Sequence, residues 1–151
     1  MFREATHEDL PTLASWIRTA HDCALWAGSA FPFPFEVAGL VEKLNLHSNT
    51  SLCLVEDALV AFGQLVDKGK GRAHLAKIVV APTSRRQGYG QQLIRELLRI
   101  AGERKFHVVG LNVQIGNNAA IRMYSRLGFL FADRPSHLAA SPDAMYMERR
   151  P

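Results

Sequence analysis

The sequence predicts a mixed α/β fold of the α+β kind, with one central, mostly antiparallel sheet built around a β-α-β-α unit. Three observations predict it. Three consecutive strand-like segments lie between residues 51 and 82, divided by the polar turns Glu56-Asp57 and "DKGKG". Two helical stretches, one carrying Leu93 to Ala101 and one reading "NNAAIRMYSRLG", flank the apolar run "HVVGLNVQIG". Two further strand-like segments, "FLFADR" and "AMYMERR", close the chain. Strand runs on both sides of a βαβα centre argue a single mixed sheet.

The elements follow in order. "MFREA" opens as a short strand, and Thr6 stands as a helix N-cap with Asp9 three positions on. Leu10, Leu13, Trp16, Ile17 and Ala20 recur at spacings of three and four, which predicts one helix with a single apolar face. Glycine and two prolines break that period in "CALWAGSAFPFPF", so this stretch is expected to be an aromatic loop. "EVAGLVEKLNL" predicts a second helix. "SLCLVED", "ALVAFGQLVDKGKG" and "RAHLAKIVVAP" predict three strands, the last ended by Pro82. Leu93, Ile94, Leu97, Leu98, Ile100 and Ala101 form one stripe of the next helix, with Arg95, Glu96 and Arg99 outside it. Gly128 ends the last helix, and the loop "PSHLAASPD" separates the closing strands.

The 151 residues suit one domain, 1–151, and 48% apolar composition supplies its core. The charged fraction of 21% is that of a folded, soluble protein. The net charge of +4 favours anionic ligands mildly but is spread along the chain, so nucleic acid is not an expected partner. Cys23 and Cys53 match no metal spacing and are expected to be reduced, buried thiols, and no metal is expected. Charges in "MFREATHEDLPTLASW" argue against a signal peptide, and no apolar run reaches membrane length, so the cytoplasm is the expected location and no membrane partner is expected.

The chemistry concentrates in "VVAPTSRRQGYGQQ", between a strand and a periodic helix. The first turn of a helix carries unpaired N–H groups and partial positive charge, which stabilise an anion. Gly88 and Gly90 remove side chains that would keep a phosphate from those groups, and Arg85 and Arg86 add charge that forks onto phosphate oxygens. No Lys-Ser or Lys-Thr pair follows the glycines, and Leu93 stands where a dinucleotide fingerprint has its third glycine. A glycine-rich turn opening a surface helix is the alternative.

A second stretch, "NNAAIRMYSRLGF", joins the first. Together they resemble the GNAT superfamily of acyl-CoA N-acyltransferases. Arg85, Gly88 and Gly90 match its pyrophosphate motif; Asn117, Ala120, Met123 (in a leucine position), Tyr124, Gly128 and Phe129 match its second signature. The strand "IVVAP" is similar to the family's pantetheine-binding strand, and the order of elements is the family's order over nearly the whole chain.

The resemblance implies acetyl-CoA as cosubstrate and transfer of its acetyl group to an amine. Backbone groups of Ile78, Val79 and Val80 would pair with the pantetheine arm. Arg85, Arg86, Gln87, Gly88, Tyr89, Gly90 and Gln91 would hold the pyrophosphate, mostly through N–H groups. Asn117 would contact the pantetheine side, and Tyr124 would protonate the departing thiolate.

The pattern is incomplete in one place. Many relatives carry a glutamate base on the central strand or its neighbour, where this chain has Lys77 and Asn112. His74 is a candidate base, although a regular strand puts His74 and Lys77 on opposite faces. His21, Asp22, Glu36 and His137 are further candidates, and a relay of water is the default. The acceptor side is expected to involve "CALWAGSAFPFPF", as a wall, as core packing or as the face of a homodimer, together with "RPSHLAASPD". An apolar wall argues against a polyamine acceptor. The other class of function is a catalytically silent acyl-CoA-binding module acting as a sensor or interaction domain.

Overall fold

The computed structural model describes residues 1–139 and 141–151. Its strands are Phe2–Glu4 (β1), Thr50–Val55 (β2), Leu59–Asp67 (β3), Arg72–Val80 (β4), Val108–Gln114 (β5), Leu130–Phe131 (β6) and Ala144–Arg149 (β7). They form one seven-stranded sheet in the order β1-β2-β3-β4-β5-β7-β6. Every neighbouring pair is antiparallel except β4 and β5, which are parallel and therefore need a crossover. The helix Tyr89–Glu103 (α4) makes it. The fold expected from sequence is thus the one observed.

Helices cover both faces. On one, Leu93, Ile94, Leu97 and Ala101 of α4 pack over Ala61, Leu65, Ala73, Leu75, Val109 and Leu111. The helix Asn118–Arg126 (α5) adds Tyr124 to the same layer. On the other face lie Leu10–Trp16 (α1), Ala20–Ala27 (α2) and Val37–Leu44 (α3), packed on Cys53, Phe62 and Val79. Cys23 and Cys53 are free and buried, and burial pushes both thiols up, Cys53 to about 12. No helix among the described residues is long and apolar enough to cross a membrane.

The amino-terminal helix departs from expectation. The apolar period from Leu10 to Ala20 predicts one helix, but α1 ends at Trp16 and the backbone of the next residue, Ile17, is extended. Residues 7–9 form a short 3-10 turn, in which the Asp9 carboxylate accepts from the Thr6 N–H at 2.8 Å. A new cap at Thr19 accepts from the Asp22 N–H at 3.0 Å and starts α2, so part of the expected aromatic loop is helical as far as Ala27. Thr19-x-x-Asp22 is a start signal hidden inside an apparently continuous apolar face.

Strand β4 is also irregular. Its pairing with β3 shifts between Phe62, opposite Val79, and Gln64, opposite Ala76, so Lys77 and Ile78 together face Gly63. Lys77 takes the extra position with φ +56°, a left-handed backbone rare for a residue with a long side chain. A Cβ on Gly63 would lie 2.5 Å from Ile78 Cδ1, so glycine there lets the bulge close onto α4. The bulge resets the side-chain alternation: Ala73 and Leu75 point to the α4 layer, as do Ile78 and Val80, while Val79 and Ala81 point away. Lys77 lies on this latter face, beside Phe31, which is also the face of His74. The opposite-face expectation, made for a regular strand, is corrected by the bulge.

Candidate active site

Strands β4 and β5 pair only from Arg72–Val108 to Leu75–Leu111, although β4 continues to Val80 and β5 to Gln114. From Ala76 onward the β5-facing edge of β4 has no strand partner, and the two strands splay apart. A cleft of about 630 Å³ opens along that edge. Ile78, Val79 and Val80 line it from the strand, with Arg85, Arg86, Gly88, Tyr89, Gly90 and Gln91 at the start of α4 and Asn117 and Tyr124 on the side of α5. Gln87 is the one expected residue that does not line the cleft; its amide donates to the Thr83 carbonyl at 3.5 Å.

The loop entering α4 has the geometry of an anion seat. Arg86 (φ +63°) and Gly88 (φ +83°) are both left-handed, an arrangement that turns successive N–H groups toward a common concavity. The first intrahelical bond of α4 runs from the Gln92 N–H to the Gly88 carbonyl, and the N–H groups of residues 85–91 have no partner among the described residues. A Cβ on Gly88 would meet nothing, so its backbone conformation is what calls for glycine. Gly90 is different: a Cβ there would sit 3.4 Å from Val80 and 3.6 Å from Met123, so its lack of a side chain lets the helix start approach strand and α5 closely.

Charge reinforces the backbone. Arg122 and Arg126, four residues apart on α5, line the same cleft as Arg85 and Arg86, and none of the four is ion-paired among the described residues. The sequence reading did not single out Arg122 and Arg126, although their i,i+4 spacing was its available signal. It also did not place Trp16 and Ile17 at the site; together with Leu25 and Trp26 of the expected aromatic wall they close the cleft.

Tyr124 is held by the end of its own helix. Gly128, at φ +88°, lets the Phe129 N–H bond the Tyr124 carbonyl at 3.0 Å and turns the buried Phe129 ring under the tyrosine, edge-to-face at 5.8 Å. Tyr124 is 8% exposed, and burial pushes its pKa up to about 12. It stays a neutral phenol, available as a proton donor. Asn117 caps α5, its Oδ1 accepting from the Ala120 N–H at 3.4 Å while its amide stays in the cleft wall.

Of the candidate bases, His74 is buried and burial pushes its pKa down to about 4, with Lys68, Lys77 and Arg134 adding to the effect. That makes it a poor proton acceptor, and it does not line the cleft. His21, Glu36 and His137 are exposed and outside the cleft as well, whereas Asp22 lines it. Asn112 accepts from Arg134 at 2.7 Å. The aromatic segment packs on itself: Phe31 meets Trp26 at 5.6 Å and Phe35 at 5.8 Å. The segment is joined to the loop before β7 by a bond from Ser29 Oγ to Asp143 at 2.9 Å. That loop is described except at residue 140. No cluster of three metal-ligating side chains occurs among the described residues.

The profile of the acetyltransferase (GNAT) family matches residues 19–129. Solved structures share the fold over nearly the full chain. A ribosomal-protein-alanine N-acetyltransferase from Brucella melitensis matches with TM-score 0.73 and 21% identity, covering 99% of each chain. A PaiA N-acetyltransferase from Thermoplasma acidophilum, in complex with coenzyme A, gives 0.72 and 20%, covering 99% of this chain and 98% of that one. Spermidine N-acetyltransferase from Vibrio cholerae, in complex with CoA and spermine, gives 0.78 and 19%, covering 99% and 94%.

Proposed function

The chain belongs to the acetyltransferase (GNAT) family and is an acyl-CoA-dependent N-acetyltransferase; from that premise we propose that, as one domain over residues 1–151, it transfers acetyl from acetyl-CoA directly to the nitrogen of an amine, with Tyr124 as general acid. One observation carries the reading. The unpaired edge of β4, the partnerless N–H groups before α4 and the Tyr124 hydroxyl all meet in a single cleft.

Each part has a task. Peptide-like amides in the pantetheine arm suit the free edge of β4 at Ile78, Val79 and Val80, as a strand added to a sheet does. The pyrophosphate suits the N–H groups and arginines of residues 85–91, and Arg122 and Arg126 extend the positive wall toward the remaining phosphate. Asn117 lines the path between them.

A neutral amine attacks the thioester carbonyl carbon, the C–S bond breaks, and the sulfur leaves with the bonding pair. An N–H group on the free edge of β4 steadies the oxygen as it gains charge. Tyr124 gives its proton to the sulfur, the nitrogen loses one, and the phenol is restored through water. The burial that raises the phenol pKa also disfavours a bare thiolate in the same cleft, so the two anions remain matched for transfer. No strand carboxylate stands at Lys77 or Asn112, so the amine arrives deprotonated or passes its proton to water or to Asp22, the candidate base that lines the cleft.

The test is release of coenzyme A from acetyl-CoA over a panel of small amines and peptides, with coenzyme A binding followed by calorimetry. Micromolar binding and turnover of at least one amine are expected. Binding with no turnover of any acceptor would leave a silent acyl-CoA module instead.

A further inference from the structure

Past the splay, on the face away from α4, lies a group of side chains that the transfer step does not use. His74 is 9% exposed and its buried Nδ1 has no partner among the described residues. Lys77 reaches the same face through the bulge, its Nζ 5.9 Å from the centre of the Phe31 ring, and it forms no ion pair among the described residues. Arg134 reaches in from the loop before β7. One nitrogen donates to Asn112 Oδ1 at 2.7 Å, the guanidinium lies 5.9 Å from the centre of the Tyr146 ring, and its buried Nε has no partner among the described residues. Lys68, Lys77 and Arg134 are all near enough to His74 to disfavour its charged form.

Nearby carboxylates are already engaged. Glu148 pairs with Arg72 at 2.8 Å and accepts from the Tyr146 hydroxyl at 3.0 Å, and Asp143 accepts from Ser29. Cationic side chains are rarely buried unless paired. Here two half-buried ones, Lys77 and Arg134, both bear on the buried, neutral His74 imidazole, with no counter-ion among the described residues.

We infer that this cluster of side chains receives a carboxylate of the acceptor, so that the enzyme acetylates a small amine bearing a carboxylate, held by Lys77 and Arg134 with His74 behind them. The inference rests on the transferase reading and names its substrate class. It also accounts for the missing carboxylate base. An acceptor ammonium brought beside Lys77 and Arg134 is disfavoured against the free amine, and its proton is lost to water before attack. The carboxylate in turn favours the charged form of Lys77, which burial and the charge of Lys68 disfavour. A polyamine meets repulsion in the same place.

The experiment compares matched acceptors. Amino acids are assayed beside their carboxamides, together with spermidine, phosphoethanolamine and short peptides, in the wild type, Lys77→Gln, Lys77→Arg and Arg134→Gln. The carboxylate member of each pair is expected to exceed its amide in kcat/KM by roughly ten- to hundredfold, the range of a charge-assisted hydrogen bond. Lys77→Gln is expected to collapse that ratio mainly through KM while coenzyme A affinity stays within about twofold, and Lys77→Arg to keep most of it. Amides, spermidine or phosphoethanolamine used as well as the amino acids overturn the inference, as does a preference that survives both Lys77→Gln and Arg134→Gln. Activity confined to peptides overturns the small-molecule assignment. If no amine of any kind releases coenzyme A, the proposed function fails and this inference with it, which is a different result from turnover without carboxylate preference.

Discussion

Trp26 donates its indole N–H to the backbone carbonyl of Lys77 at 2.9 Å. The bond ties helix α2 to the bulge in β4, so one side chain fixes both the cleft wall and the direction in which Lys77 leaves the strand. Trp26→Phe keeps an aromatic ring against Phe31 but leaves that carbonyl unpaired. A loss of about 1–3 kcal/mol is expected, measured by urea denaturation with the m-value unchanged.

Tyr124→Phe keeps the packing on Phe129 and removes only the proton donor. Turnover is expected to fall about 10²- to 10³-fold, with coenzyme A affinity unchanged by calorimetry. Because burial holds the phenol pKa up to about 12, the wild-type rate has no alkaline limb from Tyr124 below about pH 10. Unchanged turnover in Tyr124→Phe removes the residue from the acid role.

Gly88→Ala tests whether the anion seat depends on backbone hand. Apart from its chain neighbours, no described residue lies within 4 Å of the added methyl, so the expected loss comes from φ +83°. Gly88→Ala is expected to weaken coenzyme A binding about tenfold through roughly 1–2 kcal/mol of backbone strain. Asn tolerates that conformation better, so Gly88→Asn is expected to lose less. Equal losses in the two variants count against the backbone explanation.

His74 makes stability depend on acid. Its pKa is about 4 in the folded protein against an ordinary 6.5, so the unfolded chain takes up the proton first. Stability therefore falls as pH drops from about 6.5 to about 4, by about 3 kcal/mol in all, and His74 adds no further slope below that. Denaturation curves across this range are expected to show the slope in the wild type and lose most of it in His74→Gln.

Gly110→Ala probes the packing beneath the pocket. A Cβ at Gly110 would lie 2.3 Å from the Tyr146 hydroxyl and 2.7 Å from its ring. The ring must shift, loosening its bond to Glu148 and its contact with Arg134. A loss of about 1–3 kcal/mol is expected, measured by thermal or urea unfolding.

The legible parts of this molecule are those written in local chemistry. Gly88 and Gly90 between a β-branched strand and a periodic helix mark the tight turn that opens α4, and Tyr124 with Gly128 and Phe129 marks the end of α5 on which the phenol packs. The start of α2 was harder, because Thr19 caps a new helix within an unbroken apolar period from Leu10 to Ala20. The bulge was invisible: nothing in "RAHLAKIVV" marks Lys77 as left-handed, since a glycine opposite it, Gly63, provides the room. Arg134 could not be joined to Lys77 and His74 at all, because that meeting depends on strand register and on a loop more than fifty residues away.

The splay of β4 from β5 has a consequence for how the chain survives without its ligand. A strand edge with free backbone groups invites other chains to pair with it, and most sheets carry such edges only at their rims. This protein places one in the middle of its sheet, at the bottom of a narrow cleft walled by α1, α2 and α5. An extended flexible arm can enter there, whereas a second polypeptide edge cannot lie flat against it. The same geometry that invites pairing therefore also selects what may pair, and shields this inner edge from self-association.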